Sequence, residues 1–174
     1  GRIYDRNGVL LAYNDLSYAV KISDSGRYSD NATKNTTINN SINKTLDIIE
    51  NHGDTYSNDF PIVYEDGQYV FNIKDNELLR FLRDIYGKRS ISELTDEERN
   101  VTAQELFRQL CEKYEVVVAS DSSKNQATVL SSTVSFLKSQ GYMVEAAGFS
   151  VDHALMIVNL RRYMSANSYN RYIS

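Results

Sequence analysis

The sequence predicts an α+β domain: a small antiparallel sheet made by an N-terminal hairpin and a C-terminal strand, with a mainly helical head inserted between them. Three observations carry that expectation. Gly1-Arg2-Ile3-Tyr4-Asp5-Arg6-Asn7-Gly8-Val9-Leu10-Leu11-Ala12 sets two short runs with apolar residues on either side of Asn7-Gly8, the dipeptide that most readily takes positive φ at both centres of a tight turn. Residues 168–173 alternate tyrosines with polar side chains, the period of a strand. Between these ends, apolar residues recur mainly at the three- and four-residue spacing of helices.

A third strand is expected over residues 17–22, where Tyr18, Val20 and Ile22 share one face. Residues 23–40 are mostly Ser, Asp, Asn, Thr and Gly, the composition of an exposed connection. A lobe boundary is placed there. The sheet lobe then takes about 1–24 and 167–174, and the head about 38–166, within one domain of 1–174.

Ile38, Ile42, Leu46 and Ile49 start the head at helical spacing, and His52-Gly53 ends that helix with a residue suited to a left-handed cap. Residues 60–64 and 68–73 flank Glu65-Asp66-Gly67 and predict a second hairpin. Asp75 is the expected N-cap of a helix bearing Leu78, Leu79, Phe81, Leu82 and Ile85, stopped by Gly87. Capping-box spacing occurs at Ser90/Glu93, Thr95/Glu98 and Thr102/Glu105. The last opens the clearest amphipathic helix, with Ala103, Leu106, Phe107, Leu110, Cys111 and Tyr114 on one face. Residues 115–119 read as a short strand, residues 132–138 as a short helix ended by Gly141, and Asp152 as the N-cap of a closing helix with Leu155, Val158, Met156 and Leu160 inward.

Composition narrows the function. With 19 Lys and Arg against 23 Asp and Glu, the net charge is -4 and no basic run exists, which argues against nucleic acid as a partner. No stretch approaches the roughly 20 apolar residues that span a bilayer. Cys111 is the sole cysteine, so no internal disulfide forms, and on an apolar helix face it reads as core filler.

No cofactor, metal or catalytic residue is expected. There is no glycine-rich phosphate loop. His52 and His153 are far apart and lack metal-ligand spacing, so each reads as a surface or cap residue. Asp96, Glu97 and Glu98 fit a first helical turn, where the helix dipole accounts for them.

The string Gly-x-Ile-x-Asp-Arg-Asn-Gly-x-x-Leu-Ala, on Gly1, Ile3, Asp5, Arg6, Asn7, Gly8, Leu11 and Ala12, resembles the opening motif of the non-catalytic N-terminal domain of class B penicillin-binding proteins. The arginine that usually precedes the glycine is absent. Residues 154–164, with Arg161 and Tyr163, and residues 167–173 look like the helix and strand that close this domain's head; residues 59–62 and 106–114 match more loosely. The resemblance implies a pedestal, or dimerisation, domain on the extracytoplasmic face of a bacterial membrane, with an anchor helix upstream and a serine transpeptidase domain downstream.

Its implied partners are its own transpeptidase domain, other membrane proteins of the elongation or division machinery, and a second copy as a homodimer. Asp5 and Arg6 are implied to order the hairpin and its contact with the catalytic domain.

The catalytic patterns of such a transpeptidase have two short echoes here. Ser135-Phe136-Leu137-Lys138 fits Ser-x-x-Lys, while Ser165-Ala166-Asn167 and Ser168-Tyr169-Asn170 fit Ser-x-Asn. No Lys-Thr-Gly or Lys-Ser-Gly follows, and short patterns of this kind arise by chance in a chain rich in serine and asparagine. The alternatives are a free-standing secreted protein-binding module and, more remotely, a small acyltransferase built on Ser135.

Overall fold

A computed structural model describes residues 1–13, 20–119, 148–167 and 170–173. The architecture is α+β, as expected. Strands β1 (Arg2–Tyr4), β2 (Leu10–Tyr13) and β3 (Val20–Ser23) precede helix α1 (Asn31–Asn51). Strands β4 (Ile62–Glu65) and β5 (Gln68–Phe71) lead to α2 (Asp75–Ile85), a 3-10 turn (Ile91–Glu93), α3 (Asp96–Arg99) and α4 (Ala103–Tyr114). Helix α5 (Val151–Asn167) and strand β6 (Asn170–Ile173) complete the described elements. Among the described residues, no helix is long and apolar enough to cross a membrane.

The strands pair differently from the expected single sheet. β1 pairs antiparallel with β2, while β6 pairs with β3, Val20 opposite Ile173 and Ser23 opposite Asn170. The C-terminal strand therefore joins the strand that follows the hairpin, not the hairpin itself. A bulge also interrupts the hairpin's own register: Ile3 faces Ala12 but Tyr4 faces Leu10, leaving Leu11 unpaired.

The two hairpins use different turns. At Asp66-Gly67 both residues have positive φ, 50° and 80°, and Glu65 pairs with Gln68 across a two-residue loop. At Asn7-Gly8 only Gly8 does (φ 82°), and Asp5 N donates to Val9 O at 2.9 Å. That is a three-residue loop of Arg6, Asn7 and Gly8, instead of the expected two-residue turn.

The head core is one apolar cluster including Ile42, Leu46, Phe60, Ile62, Leu82, Leu106 and Val158. Phe60 meets Phe81 edge-on with centroids 6.1 Å apart, and Tyr69 lies 4.6 Å from Phe107; such ring pairs add about 0.5–1.5 kcal/mol beyond area burial. All six residues expected on the inner face of α4 are buried, and Thr102 caps it by accepting from Glu105 N at 3.2 Å. Thr95 and Glu98 form a reciprocal capping box.

Several local expectations are corrected. The 23–40 segment is only partly a connection: Asp30 Oδ1 accepts from Thr33 N at 2.7 Å and starts α1 seven residues before Ile38. Asn35 and Asn39 are buried on its inner face, so polar residues hid a helical stripe. Asp75 is the first helical residue of α2, after Lys74. Ser90 makes no side-chain cap bond. The cap of α5 is Ser150, whose Oγ accepts from His153 N at 3.2 Å, with Asp152 inside the first turn.

Residues 115–119 form only a single parallel bridge, Val118 to Phe149. The predicted helix at 132–138 with Gly141, and residues 17–19 of the strand predicted at 17–22, lie outside the described residues; residues 20–22 are in β3. Helix α5 is buried from His153 through Arg161, beyond the one-sided burial expected, because α1, α4 and β4 all pack against it.

Candidate interaction surface

Asp5 organises the N-terminal hairpin. Its Oδ1 accepts from the backbone N of Asn7 and of Val9, each at 2.8 Å, and Gly8 N donates to Asp5 O at 3.1 Å. A short carboxylate at this position thus satisfies the loop's donors from inside the turn. Gly8 supplies the left-handed conformation that closes it. Arg6 is at the loop tip and exposed.

The ribbon held by that turn displays apolar side chains to solvent. Ile3 is 63% exposed, Val9 57% and Leu11 64%, with Tyr4 and Leu10 also exposed. The bulge moves Leu11 out of register. Such a concentration of exposed apolar side chains on twelve residues makes this ribbon the candidate interaction surface. Gly1 and Ala12 are exposed on the same ribbon.

Arg161 and Tyr163, the other two expected site residues, are anchored in the head. Arg161 is buried. Its Nη2 donates to Asn35 Oδ1, and its guanidinium lies 5.4 Å from the Tyr114 ring centroid. Burial pushes its pKa down from the ordinary guanidinium range, and nearby Tyr114 and Asp24 oppose that effect. Tyr163 OH donates to Asp59 Oδ2 at 3.5 Å, and its ring lies 4.3 Å below the Arg162 guanidinium. Asp59 also accepts from Asn159 Nδ2 at 2.7 Å, and Asn58 Oδ1 does so at 2.8 Å. The structure therefore gathers the hairpin residues into one surface and fixes Arg161 and Tyr163 to α1, α4 and the 58–60 segment.

Sequence spacing did not reveal His153, which is buried, not a surface residue. Its Nδ1 lies 2.8 Å from Asn43 Oδ1 and its Nε2 3.0 Å from Glu50 Oε1. Ligand atoms of Asp47, Glu50 and His153 all lie within 4.8 Å of one another. Asn43, Asp47 and Glu50 share one face of α1 at helical spacing, a legible signal; their partner is about a hundred residues away and was not. His52 is a cap, its Nδ1 2.8 Å from Ile48 O.

Ser135 and Lys138 lie outside the described residues. Ser165-Ala166-Asn167 falls in the last turn of α5. Burial pushes the Cys111 thiol up to about 12, which keeps it protonated and unreactive.

Comparison with protein families matches residues 1–171 to the penicillin-binding protein dimerisation domain. No curated protein and no solved structure gives a match. Since the match takes in the hairpin, the whole head and the first half of β6, this chain belongs to the penicillin-binding protein dimerisation-domain family.

Proposed function

We propose that this domain is the non-catalytic pedestal of a membrane-anchored penicillin-binding protein, holding a downstream transpeptidase domain in position for peptidoglycan cross-linking on the extracytoplasmic face of the membrane. The observation that carries the reading is the Asp5-ordered ribbon with Ile3, Val9 and Leu11 turned to solvent. Apolar side chains fixed in this way lose free energy to water unless a partner covers them, about 25 cal/mol per Å². The transpeptidase domain of the same polypeptide is the proposed cover, and Arg6 at the loop tip supplies a charged contact beside it. Contacts with other wall-building membrane proteins or a second copy would use the head.

Fluorescent penicillin labelling tests the division of labour. The full-length gene product is expected to form an adduct, read by intact mass, and the 174-residue chain is expected to form none. Adduct on this chain, or none on either protein, would overturn the pedestal reading. Ile3→Asp with Leu11→Asp in the full-length protein should expose the hairpin to limited proteolysis while leaving the head resistant.

A further inference from the structure

The geometry points to a binding site for a divalent transition-metal ion of the zinc class, formed by Asp47 and Glu50 of α1 and His153 of α5. The argument begins with Asn43. Its Nδ2 donates to Asp47 Oδ2 at 2.9 Å, so its Oδ1 is the atom turned towards His153 Nδ1 at 2.8 Å. That ring nitrogen must then be the donor.

In the neutral ring the other nitrogen, Nε2, presents a lone pair to Glu50 Oε1 at 3.0 Å. Two electron-rich atoms at that distance require an electrophile on their shared edge. A proton satisfies that edge alone. A metal ion satisfies it and also draws on Asp47, whose ligand atom lies within 4.8 Å of those of Glu50 and His153; its Oδ1 is 3.8 Å from Nδ1, the ring's other nitrogen.

The dimensions suit such an ion. With metal–ligand bonds of about 2.0–2.2 Å in a tetrahedron, neighbouring ligand atoms are roughly 3.3 Å apart. The His153–Glu50 edge is near that length already. The Asp47 and Glu50 side chains are 48% and 50% exposed and free to close the remaining gap, whereas His153 is held at 8%. One imidazole and two carboxylates favour zinc-like ions over calcium or magnesium, and the open side leaves a position for water.

Each ligand also has an orienting partner, as metal sites require. Asn43 bonds both His153 and Asp47, and Tyr56 OH donates to Glu50 Oε1 at 2.8 Å. Bound metal would clamp the C-terminal half of α1 to the start of α5.

Zn²⁺ alone, titrated calorimetrically into the metal-stripped chain, is expected to bind one per chain. Free Zn²⁺ at about 100 times Kd should raise Tm by roughly 5–10 °C, and Ca²⁺ should give no comparable shift. His153→Gln should abolish binding. Asp47→Asn with Glu50→Gln changes only half-exposed groups, so the fold, checked by circular dichroism, should persist while affinity falls at least about tenfold. Absence of binding by the wild-type chain at about 100 µM Zn²⁺, or binding that survives the double substitution, would overturn the site.

Discussion

The side-chain amide of Asn39, midway along α1, donates from Nδ2 to the carbonyl oxygen of Tyr114, the last residue of α4, at 2.9 Å. It reaches Glu115 O as well, at 3.4 Å. A helix leaves its final carbonyls without internal partners, and here a buried residue of another helix satisfies two of them. Glu115, in the left-handed conformation (φ 54°), turns the chain so that Val116 N can bond Cys111 O at 2.9 Å.

Asn39→Leu is expected to lower stability by about 1–3 kcal/mol, because the buried Tyr114 carbonyl loses its donor. Thermal melting should show a Tm lower by several degrees. Asn39→Asp should cost more, since it sets a carboxylate against two carbonyl oxygens in a buried site.

Asp5→Ala should loosen the hairpin locally while sparing the head. Amide exchange at Asn7 and Val9 is the measurement: both should speed up by roughly three- to tenfold, corresponding to about 1 kcal/mol per hydrogen bond, and Asp5→Asn should retain much of the protection because Oδ1 remains. Gly8→Val should destabilise the ribbon by on the order of 1–2 kcal/mol, since φ of 82° is strained for a branched residue.

Cys111 should resist thiol reagents in the native domain at pH 8. Its thiol is buried and pushed up to about 12, so labelling should occur only through unfolding and should accelerate in parallel with denaturant-induced loss of structure.

The Glu105 carboxyl gives a pH prediction. Hydrogen bonds from Arg108 and then Gln109 hold its pKa down at about 2. A depressed carboxyl contributes stability above the ordinary glutamate range and loses that contribution as pH falls towards its folded value. Side-chain carbon shifts should therefore show Glu105 titrating near 2, and Arg108→Gln should move the midpoint up towards about 4. The effect on Tm should be small, because the pair is solvent-exposed.

Much of this architecture was legible because the responsible signals are local. The α4 stripe, its Thr102 cap, the Asp66-Gly67 turn and the Gly53 and Gly87 stops all follow from residues within one or two turns of one another. The twelve-residue hairpin motif was equally readable, although Asp5 capturing the loop's amides converted a two-residue turn into a three-residue one.

What escaped was long-range. The first two turns of α1 look like a loop because Asn35 and Asn39 occupy the inner face, and only the burial of Arg161 and the end of α4 gives those amides partners. Likewise nothing near His153 in sequence announces Glu50, and nothing near residue 170 tells β6 to choose Val20–Ser23 over the hairpin. Pairing partners are decided by packing, which a single sequence does not display.

Helix α5, buried from His153 through Arg161 against α1, α4 and β4, has a consequence for synthesis. The ribosome delivers the chain from its N-terminus, so Leu46, Phe60 and Leu106 emerge long before the helix that fills the space between them. A nascent chain stalled before Ala154 carries an open groove where α5 belongs. Completion of the head core is therefore expected to wait for α5, and a chaperone that guards this domain would have to hold it until that helix has emerged.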